Sequence, residues 1–193
     1  MESKCEQCGE GFVAENKRGP APKWCSNACK CKAYRARNPK EKRVLAEDPV
    51  PTAMRRMRRW VRCDAQKRPT GPEGGLLMWS LPDVWMTRRQ ARVAEYGAGC
   101  GFVTGEGIGV IDLDDCISES GELSSLAKGI LALNPGAYVE RSQSGRGLHV
   151  FGRIAGNVCV RDAGLEVYAG DRKRFVWVTG DVFRAGGLPA LSW

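Results

Sequence analysis

The amino-acid sequence predicts an α+β protein in which a small zinc-binding module, residues 1–38, precedes a larger domain, residues 53–193, across a linker at 39–52. Three observations carry that expectation. Cys5, Cys8, Cys25 and Cys29 arrive as two close pairs, the delivery that a tetrahedral structural Zn²⁺ requires. Several runs downstream alternate apolar and polar residues with period two, the mark of half-buried strands. Between them lie segments whose apolar residues recur at helical spacing behind capping residues.

The chain has 193 residues, 42% of them hydrophobic, enough for one domain of ordinary size plus an appendage. Charged residues make up 27%, the net charge is +8, and arginine is about twice as frequent as lysine. This balance favours polyanionic partners, because the planar guanidinium matches phosphate geometry. The nine cysteines come without an apolar leader after Met1, and no apolar run is long enough to span a bilayer. A cytoplasmic protein without a membrane partner is expected, its cysteines serving as metal ligands or small core residues.

In chain order, Cys5-x2-Cys8 and Cys25-x3-Cys29 flank a spacer that has no apolar core of its own, so a metal must hold it. Ser26 is placed to cap a helix carrying Cys29 one turn in and continuing through Lys30, Lys32, Tyr34, Arg35 and Arg37 to Asn38-Pro39. Cys31 competes as fourth ligand; Cys29 is preferred because Cys31 points to another side of the helix. The basic helix either contacts phosphates or forms a solvated face. Three prolines among charges mark the linker.

The run Met54 to Arg62 is the most basic in the chain. It reads either as a phosphate track with Trp60 as a stacking platform or as an element whose Met54, Met57 and Val61 face the core. Thr87-Arg-Arg-Gln90 is a capping box opening a helix that ends at Gly97. Gly101–Thr104, a Gly105-Glu106-Gly107 turn and Val110–Asp115 are expected to form a hairpin. A helix over 121–133 turns Leu123, Leu126, Ala127, Ile130 and Leu131 inward and stops at Asn134-Pro135. Further strands are expected at Leu148–Ile154, Leu165–Tyr168 and Arg174–Gly180.

The strand through Ile111-Asp112-Leu113-Asp114 carries the chemistry. Period-two geometry stands Asp112 and Asp114 side by side, roughly 6.5 Å apart, while Ile111 and Leu113 pack inward. Paired carboxylates repel unless a cation sits between them, and hard oxygen ligands suit Mg²⁺ or Mn²⁺. The plainer alternative is a strand ending in an Asp-rich turn. His149, the single histidine, follows the glycine-rich turn Ser142-Gln-Ser-Gly-Arg-Gly147, which suits close approach by phosphate. A hydrogen-bonded core histidine is the alternative there.

Three stretches in this order, Gly109–Asp115, Ser142–Phe151 and Gly164–Tyr168 followed by Arg174–Gly180, resemble the archaeo-eukaryotic primase superfamily, specifically the bifunctional primase-polymerase branch of phages and plasmids. The resemblance covers roughly residues 55 to 185. It implies an RRM-like primase-polymerase catalytic core. It further implies that Asp112, Asp114 and Glu166 hold catalytic Mg²⁺ or Mn²⁺, that His149 is catalytic and meets the incoming triphosphate together with Ser144 and Arg146, and that Arg174 binds the nucleotide. The expected activity is template-directed nucleotidyl transfer, that of a DNA primase and DNA polymerase, on single-stranded DNA in phage or plasmid replication, within the host cytoplasm if the protein is phage-encoded. The chain ends at Trp193 without the helicase domain of many such proteins, so a separate replicative helicase is an expected partner alongside template and nucleoside triphosphates. The competing expectation is a non-catalytic, zinc-containing nucleic-acid-binding accessory protein of replication.

Overall fold

The computed structural model describes residues 2–13, 22–37, 47–170 and 174–193, in two compact units, Met1–Ala46 and Glu47–Trp193. Residues 39–46 of the expected linker lie outside the described residues, and 47–52 belong to the second unit. No helix among the described residues is long and apolar enough to cross a membrane.

The first unit is held by few contacts. Strands β1 (Glu2–Lys4) and β2 (Gly11–Val13) pair antiparallel, and helix α1 (Asn27–Arg37) follows. Ser26 caps it as expected, its Oγ accepting the Cys29 N–H at 3.2 Å. Among the described residues of this unit only Cys5 and Ala33 are buried apolar side chains. Lys30 and Lys32 are exposed; the side chains of Arg35 and Arg37 lie outside the described set.

The second unit contains two antiparallel sheets. Helix α2 (Thr52–Arg56) leads into β3 (Trp60–Cys63) and β4 (Pro69–Thr70); a 3-10 turn (Pro82–Val84) and α3 (Arg88–Val93) lead into β5 (Gly99–Val103). Then come β6 (Ile108–Leu113), α4 (Ser125–Leu133), β7 (Tyr138–Arg141), β8 (Leu148–Arg153), β9 (Val158–Asp162), β10 (Leu165–Ala169), β11 (Phe175–Val178) and β12 (Val182–Arg184). One sheet has the order β12-β7-β8-β6-β10-β9 and the other β11-β5-β3-β4.

Period two explains why the larger sheet can be covered on both faces. On one face Ile111, Leu113, Val139, Leu148, Val150 and Val167 pack against Ala127, Ile130 and Leu131 of α4. Ser124 caps that helix through the Ala127 N–H, and Arg184 binds the carbonyls of Leu131, Asn134 and Ala137 at its far end. On the opposite face Val110, Tyr138, Phe151 and Tyr168 meet Trp60, Phe102, Val176 and Val178 of the smaller sheet.

Several sequence expectations need correction. The 101–115 stretch is not a hairpin: β5 and β6 belong to different sheets, and one bridge, Gly105 to Ile108, joins them at the turn. Gly105 at φ 137° turns the chain out of the smaller sheet, a conformation that glycine adopts without a side-chain clash. Both helices start later or end sooner than expected. The capping box at Thr87 is present, but α3 stops at Val93, since Arg62 draws in the carbonyls of Ala91, Tyr96 and Gly97. Helix α4 begins only after Ser124, because Leu123 bridges to Ile117 in the loop before it.

The basic run is mostly structural in its second half. Trp60 is fully buried, and Arg59 and Arg62 are buried with their guanidinium groups on main-chain carbonyls, Arg59 on Val103 and Thr104. A stacking platform at Trp60 is therefore ruled out by its burial in the inter-sheet core.

Candidate functional site

Register sets the site. Across the larger sheet, Glu140 of β7 lies opposite His149 of β8, His149 opposite Asp112 of β6, Asp112 opposite Glu166 of β10, and Glu166 opposite Arg161 of β9. Five polar side chains from five consecutive strands thus share one row on the face turned toward the smaller sheet. One pleat further along, the same face carries Tyr138, Phe151, Val110 and Tyr168, which seal it against that sheet. Where the polar row begins, a cavity of about 290 Å³ opens. Asp112, His149, Glu166 and Tyr168 line its floor, while Lys67, Arg174 and Trp177 contribute from the other side.

Within the row the contacts are specific. His149 Nδ1 lies 3.2 Å from Glu140 Oε1, and its Nε2 lies 3.5 Å from Asp112 Oδ1. Asp112 Oδ1 is buried and has no hydrogen-bond partner. Burial raises the Asp112 carboxyl above its ordinary range; Asp114 and Glu166 push the same way, and His149 and Lys67 oppose them only in part. Glu166 accepts from the Tyr168 hydroxyl, which in turn accepts from Arg161 Nε at 2.9 Å. Arg174 lies over the Tyr168 ring, 4.9 Å from its centroid. Both burial and the contact with Glu166 raise the Tyr168 hydroxyl, so it stays a proton donor to that carboxylate.

The sequence-predicted residues divide by place. Asp112, Glu166, His149 and Arg174 line the cavity. Asp114 is exposed just past the end of β6, its N–H bonded to the Gly164 carbonyl. Ser144 and Arg146 sit on the β7–β8 hairpin, outside the cavity lining: Ser144 Oγ contacts Ser142 Oγ at 3.1 Å and accepts the Arg146 N–H, and the Arg146 guanidinium pairs with Asp115 at 2.8 Å. That hairpin docks beside the acidic end of β6 through the Arg146 carbonyl, which accepts the Ile117 N–H.

Two residues of the site escaped the sequence reading. Glu140 is fully buried, yet it stands in an alternating run, Tyr138-Val-Glu-Arg141, where a charge at an inward position was the available signal. Arg161 comes from a strand, β9, that no pattern marked.

The acids expected to hold Mg²⁺ or Mn²⁺ are not gathered into one metal-ligating group among the described residues: Asp112 and Glu166 line the same cavity, and Asp114 is outside its lining. In the first unit Cys5, Cys8, Cys25 and Cys29 bring their sulfurs within 4.8 Å of one another, the one such group of metal ligands among the described residues. Cys31 lies outside it, its thiol directed at Asn27 Oδ1. The crowding shows in the thiols. Contact with Cys8, Cys29 and Cys5 pushes Cys25 up to about 12. At Cys5 burial acts upward, but hydrogen bonds from main-chain groups of Cys25, Cys8 and Gln7 prevail and bring it to about 6. Four thiolates so close require a soft cation, and the group can bind zinc.

A larger cavity of about 680 Å³, beside Glu47–Ala53 and Gly186–Leu188, has no such acid and histidine set. No family model matches the chain, and no curated protein matches its sequence.

Proposed function

We propose that the protein is a metal-dependent nucleotidyltransferase that extends a strand on a single-stranded DNA template, as a DNA primase-polymerase does. The observation that carries this reading is the single row of Asp112, His149 and Glu166 facing a cavity whose other side bears Lys67 and Arg174. Acids and cations lining one cavity match a ligand that brings both divalent metal and polyphosphate. The strand order β7-β8-β6-β10, with α4 between β6 and β7, supports an RRM-type core. The departure is that β9, not a helix, joins β8 to β10.

In this reading Asp112 and Glu166, together with the exposed Asp114, would hold Mg²⁺ or Mn²⁺. Such ions supply Lewis-acid stabilisation of the charge that develops on oxygen during in-line displacement at the α-phosphate. His149, Lys67 and Arg174 draw the β- and γ-phosphates along the cavity and offset their charge. Ser144 and Arg146 contribute from the hairpin once the phosphates displace Asp115 from the Arg146 guanidinium. The Tyr168 hydroxyl fixes Glu166, and the zinc unit is a nucleic-acid contact with a basic helix. A helicase would act as a separate partner.

Incorporation of labelled nucleotide on single-stranded template, with and without a primer, tests this directly. Product that requires Mg²⁺ or Mn²⁺ and is abolished by Asp112→Ala/Asp114→Ala is expected. Template binding retained with no incorporation in any condition would instead identify a non-catalytic accessory protein.

A further inference from the structure

Glu140 is the most deeply buried acid among the described residues of the second unit, with 0% exposure, and no step proposed above uses it. It is also fully bonded. Oε1 accepts the Thr179 N–H at 3.0 Å and Oε2 accepts the Gly180 N–H at 3.0 Å, both from the turn between β11 and β12. The Tyr138 hydroxyl donates to Oε2 at 3.1 Å, and His149 Nδ1 stands 3.2 Å from Oε1. A carboxylate gripped by two main-chain N–H groups cannot rotate away from the ring. An ionised carboxylate offers only acceptors, so the ring nitrogen facing it makes a hydrogen bond when it carries the proton.

We infer that Glu140 is a positioning residue: it fixes the proton of His149 on Nδ1 and aims Nε2 into the cavity beside Asp112. Buried carboxylates orient histidines in this way wherever one ring nitrogen is reserved for a ligand. The orientation holds whether the ring carries one proton or two, since Nδ1–H is present in both states. The turn at Thr179–Gly180 becomes part of the site as well, because it anchors Glu140 from the strand that also brings Arg174 and Trp177 to the cavity.

His149 is the only histidine in the chain, so its ring nitrogens can be read without assignment variants. The test is the two-bond ¹H–¹⁵N correlation spectrum of the uniformly labelled, zinc-loaded full chain, at a pH high enough to neutralise the ring. The expected pattern is a protonated Nδ1 and a lone-pair Nε2 in the native protein, lost or mixed in Glu140→Gln. A protonated Nε2 in the native protein overturns the inference, as does an unchanged Nδ1–H pattern in the variant. If Glu140→Gln does not fold, Glu140→Asp, one methylene shorter, is read in its place against the same criteria. The consequence for activity rests on the proposed nucleotidyl transfer: kcat/KM for incorporation should fall about 10–100-fold in the folded variant. A native protein with the expected spectrum and no incorporation removes that function and leaves the positioning intact.

Discussion

Replacing Asp112 by Asn should make the metal-free protein more stable, an unusual outcome for a residue at the centre of a site. Asp112 Oδ1 is buried without a hydrogen-bond partner, and burial together with Asp114 and Glu166 raises its carboxyl pKa. A buried acceptor left unsatisfied costs about 1–3 kcal/mol, more when charged. Asn removes the charge but brings an amide with its own needs, so a net gain of about 1 kcal/mol is expected. For a unit of this size, Glu47–Trp193, that is a rise in Tm of about 2–4 °C. The folded pKa lies above the unfolded one, so the folded state holds this proton more tightly. The group's contribution is therefore most favourable below about pH 4 and is lost as pH rises through the folded value. The advantage of the variant should accordingly be full at neutral pH and vanish in acid. Thermal unfolding in buffer free of Mg²⁺ and Mn²⁺, with zinc retained, measures it. Added Mn²⁺ should then reverse the order by raising the Tm of the native protein alone, by about 2.7 kcal/mol of linkage at a hundredfold excess over Kd. An Asp112→Asn protein that melts lower than the native one in metal-free neutral buffer would refute the reasoning, since Asp112 would then be a satisfied structural carboxylate.

Three further outcomes follow from the geometry. Cys8→Ser, or chelation of zinc, should collapse the amide resonances of residues 2–13 and 22–37 while leaving those of 47–170 dispersed, because Cys5 and Ala33 are the only buried apolar side chains described in the first unit. Zinc uptake should release protons and weaken as pH falls, since contact with its neighbours holds the Cys25 thiol at about 12 and the metal must displace that proton. Gly99→Ala would drive a methyl into the Trp177 ring, which lies across β5 and lines the cavity; a loss of about 1–3 kcal/mol is expected by chemical denaturation, with altered tryptophan emission.

The parts of the site that follow from alternation were legible in the sequence. Asp112 against Ile111 and Leu113, His149 against Leu148 and Val150, and Glu166 against Leu165 and Val167 each declare one polar face, and those three residues do share a face. What alternation does not encode is which strands pair. The turn at Gly105–Gly107 looked like a hairpin because local signals mark a reversal of direction and say nothing about the sheet that receives the next strand. Burial of arginine was equally invisible: Arg59 and Arg62 look like solvent-facing charges until main-chain carbonyls from Ala91 to Thr104 surround them. Four cysteines, by contrast, needed only their spacing, because thiolate chemistry restricts the outcome more than packing does. Glu140 lay between these cases, visible as a misplaced charge but without meaning until β7 was set beside β8.

The row from Glu140 to Arg161 depends on five strands agreeing about where to begin. A single residue inserted into β8, between Leu148 and Val150, would swing the imidazole to the α4 side while deleting no functional group. The same insertion in the Ser142–Gly147 hairpin would leave that address unchanged. Lineages carrying this architecture should therefore vary hardly at all in the count of residues along each strand, so the spacing inside the strands, more than the identity of their apolar residues, is what heredity has to preserve.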